Sequence, residues 1–189
     1  LPPFHDLGLI YGLLTPIRLG IPGYIMPNAA FVQRPSRWVQ AISDYRITHT
    51  MGPNFAYDLV AQTVTEEQLA QLDLSCLEQA LNGAEPVRME TLRNFNKRFA
   101  PAGLKPQVLN PCWGLAEASC IVTATHFGHR SDSRPVSEGV WVDAAGLKHN
   151  RVCKVAPESS GAVWLAGSGV AIDDTQIAIV DPESSQSVA

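Results

Sequence analysis

Through residue 109 the chain alternates short apolar runs with helical patterns, and glycine, proline or asparagine marks most switches. Strands that alternate with helices pair in parallel, because a parallel connection needs a crossover, and the helices then cover the sheet. The expected fold class is therefore α/β: a layered, mainly parallel sheet with flanking helices. Residues 7–19 form an apolar run too short to span a membrane and predict a buried helix. Tyr24 to Pro27 reads as a short buried strand. Pro35 opens a helix at its first turn, with Trp38, Ile42 and Tyr45 on one core-facing side. Ile47 to Met51 is a strand stopped by Gly52-Pro53, and Asn54 is placed to cap the next helix. Thr65-Glu66-Glu67-Gln68 fits a capping box. Leu77 to Leu81 reads as a strand. Pro86 starts a helix with an apolar stripe of Leu92, Phe95 and Phe99, ended near Gly103. Pro106 to Leu109 is a further strand.

Beyond this the pattern breaks. Residues 126–165 are polar and irregular, with Val/Trp runs at 139–142 and 163–165, and Gln176 to Val180 is another strand candidate. There is no internal repeat.

Composition removes several function classes. Hydrophobic residues make up 46% and charged residues 17%, too apolar for a disordered tail. A net charge of −4 and a pI near 5.7 give no basic face for nucleic acid. No apolar run reaches the roughly 20 residues of a membrane span. Cys76, Cys112, Cys120 and Cys153 show no CxxC spacing and read as reduced thiols, which implies a cytoplasmic protein. Leu1 and the small polar residues from Ser184 to Ala189 read as cut ends.

Three junctions could carry chemistry, since ligands of open α/β sheets collect beyond the carboxyl ends of strands. Asn82-Gly83-Ala84-Glu85-Pro86 is either a nucleotide or anion contact, or an ordinary corner capped by Glu85. Asn110-Pro111-Cys112-Trp113-Gly114-Leu115-Ala116-Glu117-Ala118 could stack a base on Trp113 and hold Mg²⁺ on Glu117; alternatively it buries a tryptophan and starts a helix. Phe4-His5-Asp6 offers a base, a gate or an oriented core histidine. Other combinations are weak. Cys120 with His126 and His129 lacks a fourth zinc ligand at a standard spacing. Gly167-Ser168-Gly169 lacks the lysine and helix of a phosphate loop. Cys112 has no evident base partner.

Taken together, the motifs resemble the fatty acyl-AMP ligases of the adenylate-forming superfamily, which also holds acyl-CoA synthetases and peptide-synthetase adenylation domains. Leu1-Pro2-Pro3-Phe4-His5-Asp6-Leu7-Gly8-Leu9-Ile10, Gln33-Arg34-Pro35 with Trp38, Gly52-Pro53-Asn54-Phe55-Ala56-Tyr57, Asn82 to Val87 and Pro111 to Ala118 follow in that family's order. The resemblance implies ATP and Mg²⁺ as cofactors, with a fatty acid and the phosphopantetheine arm of an acyl carrier protein as partners. It places Asn82, Gly83, Ala84, Glu85 and Pro86 along the adenine. Trp113 stands where the family usually has Tyr and stacks on the base, Gly114, Leu115 and Ala116 approach the nucleotide, and Glu117 is the Mg²⁺ ligand. His5 lies by the acyl carboxylate, and Gly52, Asn54 and Tyr57 beside the acyl tunnel.

It also divides the chain into a central α/β part (1–125), a family-type insertion (126–168) associated with failure to use CoA, and a return strand (169–189). The family's phosphate loop, ribose-holding Thr-Gly-Asp segment and C-terminal lysine domain find no counterpart in these residues, so the isolated chain is expected to be inactive. An acyl-CoA synthetase segment and a non-catalytic binding module are the alternatives.

Overall fold

The computed structural model describes residues 2–125, 139–172 and 174–188. Its strands are β1 (His49–Gly52), β2 (Gln79–Asn82), β3 (Leu109–Gly114), β4 (Ile121–Ala124), β5 (Val140–Asp143), β6 (Ala162–Leu165) and β7 (Val170–Ala171). Its α-helices are α1 (Thr15–Leu19), α2 (Asn28–Gln33), α3 (Ser36–Asp44), α4 (Asn54–Thr63), α5 (Glu66–Leu69), α6 (Met89–Phe99) and α7 (Ala144–Leu147). Five strands form a mixed sheet in the order β1-β2-β3-β4-β7. The β1-β2 and β2-β3 pairs are parallel; β3-β4 and β4-β7 are antiparallel. Strands β5 and β6 pair with each other as a separate antiparallel ribbon.

The main core lies between the parallel strands and helices α3, α4 and α6. Val39 and Ile42 from α3, Tyr57 and Val60 from α4, and Leu92, Phe95 and Phe99 from α6 meet Ala80 and Leu109 of the sheet. The rings form a chain: Trp38 to Tyr57 at 5.1 Å, Tyr57 to Phe95 at 5.0 Å, Phe95 to Phe99 at 4.5 Å. Burying a large apolar side chain of this kind stabilises by roughly 1.5–3 kcal/mol. A smaller cluster of Leu81, Cys112 and Ala124 is joined by Tyr11 from the N-terminal segment. The capping box forms as expected: Thr65 Oγ1 accepts from Gln68 N at 3.2 Å, and Gln68 Oε1 accepts from Thr65 N at 3.1 Å.

Several expectations are corrected. Residues 7–19 are helical but not buried: a π-helical stretch, Leu7–Leu14, runs into α1, and only Leu7 and Gly8 are buried. Tyr11 packs inward, while Leu9, Leu14, Ile17 and Leu19 stay exposed. Tyr24 to Pro27 is no strand; Tyr24 stacks on Tyr45 at 4.5 Å instead of joining a ladder. Tyr45 is consequently 57% exposed, and Val39 takes its expected place beside Ile42.

Helix α6 starts at Met89, not Pro86, because the backbone at Pro86 and Arg88 is held by Asn54. Residues Pro106–Val108 form a 3₁₀ turn, and the strand continues through Pro111 to Gly114. Gln176 to Val180 makes only a single bridge, Val180 to Ser187. The Val/Trp runs at 139–142 and 163–165 do form strands, β5 and β6, with Trp141 and Trp164 packed edge to face. Residues 126–138, with His126 and His129, lie outside the described residues.

Candidate functional site

Parallel pairing places the carboxyl ends of β1, β2 and β3 side by side. Gly52 is opposite Asn82, and Asn82 is opposite Pro111. The three segments that leave this edge are Gly52-Pro53-Asn54, Asn82 to Pro86 and Trp113 to Ala118. Motifs separated by some 60 residues of sequence therefore share one rim, the place where an open α/β sheet binds ligands.

The middle segment is held from both sides. Gly83 is buried, and a β-carbon there would lie 2.7 Å from Cys112 Sγ and 3.0 Å from its carbonyl oxygen. Ala84 has φ +67°, a left-handed conformation costing about 1 kcal/mol for a non-glycine residue. Glu85 does not cap its own helix. Its Oε1 accepts from Phe55 N at 3.4 Å, at the positive N-terminus of α4. Pro86 is exposed, and its carbonyl accepts from Asn54 Nδ2 at 3.0 Å. Asn54 in turn does not cap α4; its side chain faces the Asn82 to Arg88 turn.

The next segment is open. Trp113 is 49% exposed at the end of β3, so about half of its surface is open to a ligand. The register of β3 against β4 shifts between Trp113 and Gly114. Gly114 has no room for a side chain, since a β-carbon would overlap the Cys120 carbonyl. Leu115 is extended and half-buried, and Ala116–Ala118 make a 3₁₀ turn. Glu117 is exposed on that turn and has no ion-pair partner among the described residues.

His5 lies at the start of the π-helical segment. Its Nδ1 is 2.6 Å from Asp6 Oδ1, which also accepts from Leu7 N at 2.8 Å. Leu7 N also lies 3.2 Å from His5 Nδ1, so its N–H is shared between the imidazole and the Asp6 carboxylate. Burial pushes the Cys120 thiol up to about 11, and the Asp6 carboxylate adds to the rise. Asp6 thus faces Cys120, the residue before β4.

Gly52 is closed by aromatic packing, with a β-carbon 3.0 Å from the Trp38 ring. Tyr57 is wholly buried and donates from its hydroxyl to the Leu81 carbonyl at 2.8 Å. Burial holds its phenol well above its usual range. It thus fixes β2 one residue before Asn82.

Sequence reasoning missed Tyr11, whose hydroxyl donates to Gln79 Oε1 at 3.3 Å, and the packing role of Cys112. No local pattern signals either one, because both depend on contacts between distant segments. A concavity of about 450 Å³ lies between α4, α5 and α6, lined by residues such as Asp58, Glu66, Lys97 and Arg98. It shares no residue with the strand-end motifs.

The rim suits a nucleotide. It has a half-exposed ring, two glycines with backbone close to neighbouring backbone, and a free carboxylate. No cluster of three metal-ligating side chains occurs among the described residues. One carboxylate nevertheless fits Mg²⁺, which takes few protein ligands and completes its shell with water and phosphate.

These features define an α/β domain of the adenylate-forming class. The chain belongs to the AMP-binding enzyme family, which matches residues 1–189. It is 43% identical over 183 residues to a medium-chain-fatty-acid–[acyl-carrier-protein] ligase, JamA, of Moorena producens, covering 96% of this chain and 30% of that protein. It is 39% identical to a second such ligase, TtuA, of Teredinibacter turnerae, covering 100% of this chain and 28% of the relative. A fatty acyl-adenylate ligase from L. pneumophila, solved with acyl adenylate and pyrophosphate, superposes with a TM-score of 0.86 at 38% identity; the match covers 97% of this chain and 31% of that one. The chain thus spans about 30% of the length of the curated relatives it matches.

Proposed function

We propose that these residues form the nucleotide-facing rim of a fatty acyl-AMP ligase. In the proposed reaction a fatty-acid carboxylate oxygen attacks the α-phosphorus of ATP. The bond to the β-phosphate oxygen breaks, and acyl-adenylate and pyrophosphate result. The acyl group then passes to the thiol of an acyl carrier protein's phosphopantetheine arm, releasing AMP. The observation that carries this reading is the alignment of Gly52, Asn82 and Pro111 at one rim, in a chain matched throughout by the AMP-binding family. The two ligases named above lend support for the carrier protein, through what their names say of them.

Each residue has a role in this reading. Asn82, Gly83, Ala84, Glu85 and Pro86 flank the adenine, Trp113 stacks on it, and Gly114, Leu115 and Ala116 let the backbone approach the phosphates. Glu117 holds Mg²⁺, which when bound supplies positive charge against the phosphate oxygens. His5 orients the acyl carboxylate by donating from Nε2–H, with Asp6 holding the ring. Gly52, Asn54 and Tyr57 lie in the segment that borders the acyl side, Tyr57 through the packing behind it. Positioning and charge stabilisation supply most of the rate in such a transfer, and no side-chain nucleophile is required. Residues 126–168 form the family-type insertion, with 169–189 as the return segment. The four free thiols support a cytoplasmic location.

The test uses the full gene product that contains these residues. Pyrophosphate release that depends on fatty acid, with acyl transfer to a carrier protein and not to CoA, is the expected result. Absence of acid-dependent pyrophosphate release overturns the reading, and thioester formation with free CoA replaces it with an acyl-CoA synthetase.

A further inference from the structure

The adenine-side turn, residues 82–88, is shaped by a single side chain from another strand end. Asn54 is wholly buried at the start of α4, yet it makes no cap hydrogen bond there. Its Oδ1 accepts from Arg88 N at 2.9 Å and from Asn82 Nδ2 at 3.1 Å. Its Nδ2 donates to the Pro86 carbonyl at 3.0 Å. One amide therefore grips the entry of the turn at Asn82 and its exit at Pro86 and Arg88.

The orientation of both amides follows from these partners. A backbone N–H must face Asn54 oxygen and a carbonyl must face Asn54 nitrogen, so the Asn82 atom that meets Asn54 Oδ1 is the nitrogen. Asn82 Oδ1 is then left without a partner, in a residue with no exposed surface. A buried acceptor without a donor costs about 1–3 kcal/mol. It persists here because Asn54 fixes the Asn82 side chain by its other end.

We infer that Asn54 is a positioning residue for nucleotide binding: it holds Asn82 and the left-handed turn at Ala84 in the shape that meets the base, and it does not itself touch the acyl group. This rests on the proposed function, and it gives Asn54 a different role from the acyl-side placement the resemblance implied. The grip keeps Pro86 to Arg88 out of helix α6, which begins only at Met89. It also joins the β1 end to the β2 end at the level where Gly52 and Asn82 are in register.

The test compares Asn54→Ala, Asn54→Asp and the core variant Phe99→Leu in the full gene product. Asn54→Ala should raise the KM for ATP about tenfold, the effect of losing roughly one net hydrogen bond's worth of positioning, and leave the KM for fatty acid within about twofold. Asn54→Asp sets a second acceptor against the Pro86 carbonyl at a wholly buried position, so it should raise the KM for ATP at least as much as Asn54→Ala does. Phe99→Leu should lower Tm with little change in the KM for ATP. An Asn54→Ala enzyme with unchanged KM for ATP, or one whose KM for fatty acid rises instead, overturns the inference while the proposed function stands.

Lack of pyrophosphate release by the unaltered protein sinks the proposed function itself. Amide hydrogen exchange reads the grip independently of turnover. Exchange at residues 83–88 should accelerate in Asn54→Ala, and unchanged exchange overturns the grip in an active or an inactive protein.

Discussion

Gly83 sits against Cys112 so closely that a β-carbon on the glycine would lie 2.7 Å from the cysteine sulfur. The glycine is needed for this approach and not for a left-handed backbone, which falls on Ala84. Gly83→Ala should therefore destabilise by overpacking, at about 1–3 kcal/mol. Cys112→Ala removes the sulfur but leaves the Cys112 carbonyl oxygen, 3.0 Å from the same position. In that background Gly83→Ala should cost less without becoming neutral. Urea denaturation of the four species of a double-mutant cycle measures the coupling. Equal cost in both backgrounds would show that the sulfur is not the obstacle.

The buried thiols and phenols give stability a high-pH limit. Burial pushes Cys112 up to about 12 from an ordinary 9.0, with a contribution from Cys120, and raises Tyr11 and Tyr57 above their ordinary 10.0. A raised acid keeps its proton in the folded state while the unfolded chain loses it. Its contribution is complete below the unfolded pKa and drains away as pH climbs toward the folded value. Stability should hold to about pH 9 and then fall, with Cys112 contributing up to about 1.4 kcal/mol per pH unit. Denaturation in reductant between about pH 8 and 10.5 tests this. Cys112→Ala should flatten the fall, and an unchanged slope would remove Cys112 as its source.

The parallel half of the sheet was legible because its signals are local. Gly52-Pro53 and Asn82-Gly83 break the chain where β1 and β2 end, and the Leu92, Phe95, Phe99 stripe has helical period. The misreadings are places where tertiary contacts outrank local preference. Asn54 looks like a cap but finds three partners on another segment. Pro86 looks like a helix start, yet those same bonds delay the helix to Met89. Tyr24 to Pro27 has strand composition, but Tyr24 stacks on Tyr45 and joins no ladder. Pro111, which cannot donate to a ladder, nonetheless lies inside β3, which hid that strand's continuation. Of the candidate site, the motifs were readable as words; that they share a rim depends on register, which a single sequence leaves open.

Glu117 should matter for metal and not for folding. It is exposed on its 3₁₀ turn and pairs with no cation among the described residues. Surface substitutions of this sort change stability by less than about 0.5 kcal/mol. Glu117→Gln keeps the shape and removes the charge, so the Mg²⁺ concentration for half-maximal pyrophosphate release should rise while Tm stays fixed. A titration of activity against Mg²⁺ at saturating ATP reads this. An unshifted Mg²⁺ curve would take the metal away from Glu117.

Trp113 offers the sharpest separation of binding from stability. Its ring is 49% exposed, whereas Tyr57 and Phe99 in the core are 0% exposed, so truncating it removes little buried contact. It stands at the end of β3, one residue after Cys112, whose sulfur abuts Gly83 of the Asn82 to Pro86 turn. Stacking of a base on an aromatic ring contributes about 1–3 kcal/mol by alanine substitution. Trp113→Ala should therefore weaken ATP binding about tenfold or more, with Tm nearly unchanged. Trp113→Tyr, which keeps a stacking face, should restore most of the affinity. Calorimetric titration of ATP into the three proteins decides it. If the alanine variant binds ATP as well as the tryptophan does, the base lies elsewhere on the rim; if Tm drops sharply with affinity, Trp113 supports the β3–β4 register shift and its effect on ATP is indirect.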